Sequence, residues 1–193
     1  MKNKNLILSL LASFIFLASF TVLKDDVYTV NIERSSIDWS AKKVVGGHVG
    51  AVKISSGTLI YNEKGLKGGS FVMDLANLTS DNERLTTHLK NDDFFSVDKH
   101  PSSKFEITKV APAGTDRVNI TGNLTIKGIT HPITFPASVK QQKGVIVAVA
   151  SGVKVDRTKY DIKYRSKSFF GDIGDKAIDD EFELNINLSA NKK

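Results

Sequence analysis

His48, His88, His100 and His131 are the side chains of this 193-residue chain best suited to bind a metal or move a proton, and they stand far apart in sequence. No two share the i, i+4 spacing of an HExxH helix, and the chain has 0 cysteines. A transition-metal site would need several distant residues to converge, so no metal is expected. The same zero removes cysteine nucleophiles, disulfides and a lipidated cysteine anchor. No G-x-S-x-G elbow, phosphate-binding loop or dinucleotide fingerprint occurs. Carboxylate pairs arise in any chain with 21 acids and decide nothing. The acidic run Asp172, Asp175, Asp179, Asp180, Glu181 lacks calcium-loop spacing and is interrupted by Ile173 and Ile178, so it reads as solvated turn. The expectation is a protein that is not an enzyme, with no catalytic residues, no metal and no cofactor.

The aromatic side chains carry more information. Residues 24–193 hold 13 of the 16, and two doublets stand at loop-like sites: Asp92-Asp93-Phe94-Phe95 and Ser168-Phe169-Phe170-Gly171. Adjacent residues of a strand face opposite sides, so simple alternation cannot bury a doublet. Each doublet either plugs the end of a barrel or lines the mouth of a cavity. Trp39, Phe71, Met73, Phe105, Phe135, Phe182, Leu184 and Ile186 would line a dry tunnel suited to an apolar chain. Arg165, Lys167 and His48 are candidates at its mouth to meet the head of such a ligand, a phosphate or a quinone.

The elements that must position these residues are strands. Glu181–Leu188 alternates without a fault, and Val118, Ile120, Leu124 and Ile126 share one face of Arg117–Ile126. Ser70–Leu75 gathers Phe71, Met73 and Leu75; Ile133, Phe135, Ala137 and Val139 form another set, which Pro132 and Pro136 mark as an edge or a bend. Tyr28–Glu33, Ile37–Val44, Gly57–Asn62, Lys104–Val110 and Val145–Val155 complete the candidates. Gly46-Gly47, Lys67-Gly68-Gly69, Lys127-Gly128 and Gln142-Lys143-Gly144 supply the reversals. One stretch is helical: Asp81 can cap, and Leu85 and Leu89 fall at i, i+4 before an end near Asn91. The cadence is that of an all-β barrel or sandwich in one domain.

Residues 1–23 belong to a separate reading. Lys2 and Lys4 precede an uncharged apolar stretch, Leu6–Leu23, with small residues near its end, the layout of a cleaved secretory signal peptide. A cut after Ser19 fits best, and an uncleaved anchor is the rival. Residues 24–193 then carry 25 basic against 21 acidic side chains, a net of +4 where the whole chain has +6. The lysines are scattered among acids, so no nucleic-acid partner is expected.

Read in order, these pieces resemble one family. Trp39 and Gly47-His48-Val49-Gly50, Gly57-Thr58-Leu59 and Gly69-Ser70-Phe71-Val72-Met73-Asp74-Leu75 are similar to the opening of YceI-like proteins. The likeness continues through His88–Phe95, Lys99-His100-Pro101, Phe105, Gly122–Pro132 and Phe169-Phe170-Gly171. The resemblance implies an all-β, antiparallel lipocalin-like β-barrel of about eight strands with one or two short helices over residues 24–193, exported to the periplasm. It also implies an isoprenoid or similar long-chain lipid in the tunnel. Many relatives carry an Arg-x-Asp-Phe-Gly element, and Arg165-Ser166-Lys167-Ser168-Phe169-Phe170-Gly171 departs from it. The ligand-binding set expected is therefore Trp39, His48, Phe71, Met73, Phe94, Phe95, Phe105, Phe135, Arg165, Phe169, Phe170, Phe182 and Leu184. The function expected is non-catalytic carriage or storage of that lipid, with membrane contact only through ligand exchange and a homodimer left open. An enzyme acting on a lipid in the same tunnel and a ligand-free structural barrel are the alternatives.

Overall fold

The computed structural model describes residues 24–171 and 173–193; the signal-peptide reading of residues 1–23 lies outside them. The strands are β1 (Asp26–Val30), β2 (Ser36–Lys43), β3 (Gly47–Asn62), β4 (Gly65–Ser80), β5 (Ser102–Pro112), β6 (Arg117–Ile126), β7 (Ile129–Gln142), β8 (Val145–Asp156) and β9 (Ile178–Lys192), with helix α1 (Glu83–Lys90) between β4 and β5. Each strand from β2 to β9 pairs antiparallel with the next, and β9 returns to β2. β1 occupies the same stave as β2: it pairs with the far half of β3 at Asp26↔Tyr61 and with the end of β9 at Tyr28↔Lys192. Asn31 folds the short break between them, its side chain accepting from the amides of Glu33 and Arg34. The result is a closed, antiparallel, lipocalin-like barrel of eight staves with one helix.

The barrel has two unlike ends. At the lower end the hairpins are short, residues 63–64, 113–116 and 143–144. Lys143 and Gly144 both have positive φ (50° and 77°), the paired left-handed geometry that follows strand twist. The upper end carries the two long connections, residues 81–101 with α1, and 157–177. Strands alternate as their sequences require: Ile120 and Leu124 of β6, and Ile186 and Leu188 of β9, are buried, while Asn119, Asn123, Asn185 and Asn187 are exposed.

Several features differ from the sequence expectation: Lys67-Gly68-Gly69 lies inside β4, the reversal before it being residues 63–64, and the first strand stops at Val30. β3 begins at Gly47 rather than Gly57, because its ladder with β4 shifts register between Ala51 and Lys53 and again between Ile54 and Ser56. Such irregularities interrupt the period-two pattern that marks a strand. The helix is capped by Asn82, which accepts from the Leu85 amide at 3.0 Å; Asp81 binds His48 instead. The prolines of β7 leave its β6 ladder intact, but pairing with β8 runs only from Ser138 to Gln142. The stretch with Pro132 and Pro136 thus has an unpaired side, and the Arg157–Tyr160 turn lies over it, with the Tyr160 ring edge-on to His131 at 5.4 Å.

Candidate ligand cavity

Phe71 of β4, Phe105 of β5 and Phe135 of β7 form a row across the barrel waist, with ring centroids 5.5 and 5.6 Å apart. Glycines make the row possible. A Cβ at Gly122 of β6 would strike the Phe105 ring and stand 2.6 Å from the Glu106 carbonyl; one at Gly57 of β3 would stand 2.7 Å from Cβ of Phe71. With nothing on those staves, the rings lean inward over them.

Above the row lies a cavity of about 120 Å³ and below it one of about 30 Å³. Phe71, Phe105, Phe135 and Ile186 touch both, so they are the partition. A water occupies roughly 10–15 Å³ on the same scale, so the upper space exceeds it severalfold. Trp39 borders that upper space. Its ring lies against Gly50, 2.6 Å from where a Cβ would be, and its Nε1 donates to the Thr79 carbonyl at 3.1 Å. On the adjoining stave Phe182 and Leu184 of β9 continue the wall, Leu184 in register with Trp39. Leu75 and Leu78 cover it where β4 departs from its β3 ladder between Asp74 and Thr79.

Trp39, Phe71, Met73, Phe94, Phe95, Phe105, Phe135, Phe182 and Leu184 all line the upper cavity. His48, Arg165, Phe169 and Phe170 do not. His48, opposite Ala41 at the upper rim, is held above the cavity wall by Lys43 Nζ at 3.1 Å and Asp81 Oδ1 at 3.0 Å. Arg165 turns away in a left-handed conformation (φ 51°) with its guanidinium over the Tyr164 ring. Phe169 and Phe170 are 51% and 50% exposed, with Lys163 above the Phe169 ring. The two doublets therefore part ways. Phe94 is 6% exposed and joins His88 and Tyr164 in an aromatic cluster roofing the cavity; Phe169-Phe170 faces solvent.

The arginine that reaches the cavity is Arg157, which sequence reasoning passed over. Its Nε donates to the Asp179 carbonyl, Nη1 to those of Ile162 and Tyr164, and Nη2 to that of Ile178, at 2.9–3.0 Å. One guanidinium thus ties the start of the 157–177 connection to its end. Burial pushes its pKa down, against the opposing pull of Asp180, whose Oδ1 lies 3.7 Å from Nη2. Burial also disfavours the Asp180 carboxylate, but the hydroxyls of Ser166 and Ser168 and the Arg157 charge hold it below the usual range. A signal was present. Arg157-Thr158-Lys159-Tyr160-Asp161 places an aromatic residue three positions after the arginine, and Asp161 adopts φ 57° where an Arg-x-Asp-Phe-Gly element has its glycine. This stretch has the spacing of that element, with Lys159, Tyr160 and Asp161 where it has Asp, Phe and Gly.

Ser103 and Arg157 are the polar residues of the wall besides Trp39, whose N–H is already bonded. Among the described residues no group of three or more His, Asp or Glu side chains is placed to hold a metal. A YceI-like domain profile matches residues 28–190.

The chain belongs to the YceI-like family.

Among curated relatives of this YceI-like chain, a UPF0312 protein of Vibrio parahaemolyticus is 29% identical over 111 residues, 56% of each chain. One of Pseudomonas paraeruginosa is 36% identical over 88 residues, 38% of this chain and 46% of that one. The matched stretch spans about half the length of these relatives. Solved structures show the same fold. Burkholderia cenocepacia BcnA superposes with TM-score 0.71 at 21% identity, covering 83% of this chain and 98% of that one. A polyisoprenoid binding domain from Saccharophagus degradans gives 0.65 at 12%, over 86% and 98%. A Campylobacter jejuni YceI protein gives 0.58 at 22%, over 100% and 99%.

Proposed function

We propose that this protein binds and carries, without catalysis, a long-chain isoprenoid or similar amphiphile in its upper cavity, as an exported periplasmic protein. The observation that carries the reading is the chemistry of the wall: aromatic and aliphatic side chains with Ser103 and Arg157 as the polar exceptions. Each methylene moved from water into such a wall contributes about 0.8 kcal/mol before ordering costs. A chain of several isoprene units binds there without a strong polar contact. Arg157 has four of its five N–H donors committed to backbone carbonyls, and the wall offers no nucleophile–base pair among the described residues, which favours binding over turnover. The polyisoprenoid binding described for the Saccharophagus degradans neighbour supports the ligand class. Export rests on Lys2, Lys4 and the apolar stretch Leu6–Leu23.

Organic extraction of protein purified from several hosts, followed by mass spectrometry, tests the ligand. The expected result is a stoichiometric long-chain lipid. Protein that carries none, and that takes up none from a series of isoprenoid alcohols and quinones, overturns the reading.

A further inference from the structure

The charge left after the first 23 residues is not evenly distributed. Residues 157–177 contain Arg157, Lys159, Lys163, Arg165, Lys167 and Lys176 against Asp161, Asp172 and Asp175, a net of +3 out of the +4 of residues 24–193. Arg157 is buried and Lys163 pairs with Asp161 at 2.7 Å, whereas Lys159, Arg165, Lys167 and Lys176 are exposed. The same connection presents Phe169 and Phe170, half exposed side by side. Their amides donate to the Ser166 carbonyl, and Ser166 bridges to Ile178, so the doublet stands on a backbone tied to the barrel rim. Beside it the β2–β3 turn presents Val44 and Val45, 47% and 72% exposed, joined through the Val44 amide to the Ala177 carbonyl. The lower-end turns, residues 63–64, 113–116 and 143–144, contain no aromatic residue.

Exposed aromatic rings on a connection that also exposes Lys159, Arg165, Lys167 and Lys176 match the chemistry of a bilayer interface. The rings suit the headgroup–acyl boundary, and the cations suit anionic headgroups. We propose that the upper rim, centred on Phe169-Phe170 with Val44, Val45, Arg165, Lys167 and Lys176, docks the barrel on an anionic phospholipid surface. Docking in this pose sets the end that holds the larger cavity against the membrane. The inference stands apart from the cavity's ligand, since a barrel emptied of lipid docks equally.

The test is co-sedimentation of protein expressed from the full chain with vesicles of equal parts phosphatidylglycerol and phosphatidylcholine, or of phosphatidylcholine alone. Protein should sediment with the anionic vesicles only, and less as salt is added. R165Q/K167Q/K176Q should weaken binding about a hundredfold, and F169S/F170S about tenfold or more. Wild-type protein that ignores anionic vesicles, or F169S/F170S that binds as well as wild type, overturns the proposal. So does light scattering that shows a dimer lost in F169S/F170S, because the doublet then meets a second copy. F170W keeps an aromatic at the site and reads the pose directly. Its fluorescence should be quenched by brominated phosphatidylglycerol, and unquenched emission overturns the proposal even where the serine variants fail to fold.

Discussion

The two ends of this barrel are made from the same strands and do different work. The lower end is closed by hairpins of a few residues, and its cavity is about 30 Å³. The upper end carries both long connections, the aromatic cluster of His88, Phe94 and Tyr164, the buried Arg157, and a cavity of about 120 Å³. Tight turns satisfy their own backbone, so side chains can close on one another beneath them. Long connections must be tied down by side chains, and a roof built that way can be shaped around a space. The Phe71–Phe105–Phe135 row marks where one regime gives way to the other.

Removing Arg157 should break the contrast most severely. Arg157→Met leaves buried carbonyls at Ile162, Tyr164, Ile178 and Asp179 without their donor. We expect a loss of about 3–5 kcal/mol in urea unfolding. Amide exchange should quicken in residues 157–177 first while the lower hairpins stay protected. Phe105→Ala should cost about 3 kcal/mol and join the two cavities, seen as binding of longer ligands than wild type accepts. If the length limit does not move, the row is core packing alone.

Glycines give a finer comparison. Gly122→Ala at the waist drives a methyl into the Phe105 ring and should lower stability by about 1–3 kcal/mol. Gly144→Ala in the lower turn meets only Lys192 Cβ at 4.0 Å and should cost about 1 kcal/mol, from its positive φ alone. The smallest change is Tyr160→Phe. The Tyr160 hydroxyl is buried without a hydrogen-bond partner among the described residues, and burial pushes its pKa up to about 12. Removing it should leave stability unchanged or raise it by about 1 kcal/mol. Because the folded value lies above the unfolded one near 10, wild-type stability is full below pH ~10 and falls as pH rises toward ~12. Unfolding free energy measured across that window should fall for wild type and stay flatter for the variant.

Much of the barrel was legible because its strands obey period two. Glu181–Leu188 and Arg117–Ile126 face the way their alternation demands. The first half of β3 escaped notice where register shifts at Ala51–Lys53 and Ile54–Ser56 displace the pattern. The cavity wall was legible for the same reason, since an inward aromatic on a regular strand has one place to go. The rim was not. His48 pairs with Lys43 across the ends of β2 and β3 and with Asp81 of the next connection, and Arg165 turns back on Tyr164 within a connection that carries no periodicity. Arg157 was hidden by type: an isolated arginine after a strand reads as surface until its backbone acceptors are seen.

The closing strand has a consequence in time. β9 supplies Phe182, Leu184 and Ile186 to the cavity wall and pairs with β8, β2 and β1 at once. Lys192 even reaches Asp26, 166 positions earlier. Without β9 the remaining strands make an open sheet of seven staves with one wall of the chamber missing. Such a sheet encloses no space, and its seam must wait for contacts of the longest range, which form slowly. The enclosed chamber therefore exists only once β9 has closed the seam, so ligand uptake under the proposed function follows closure of the whole barrel.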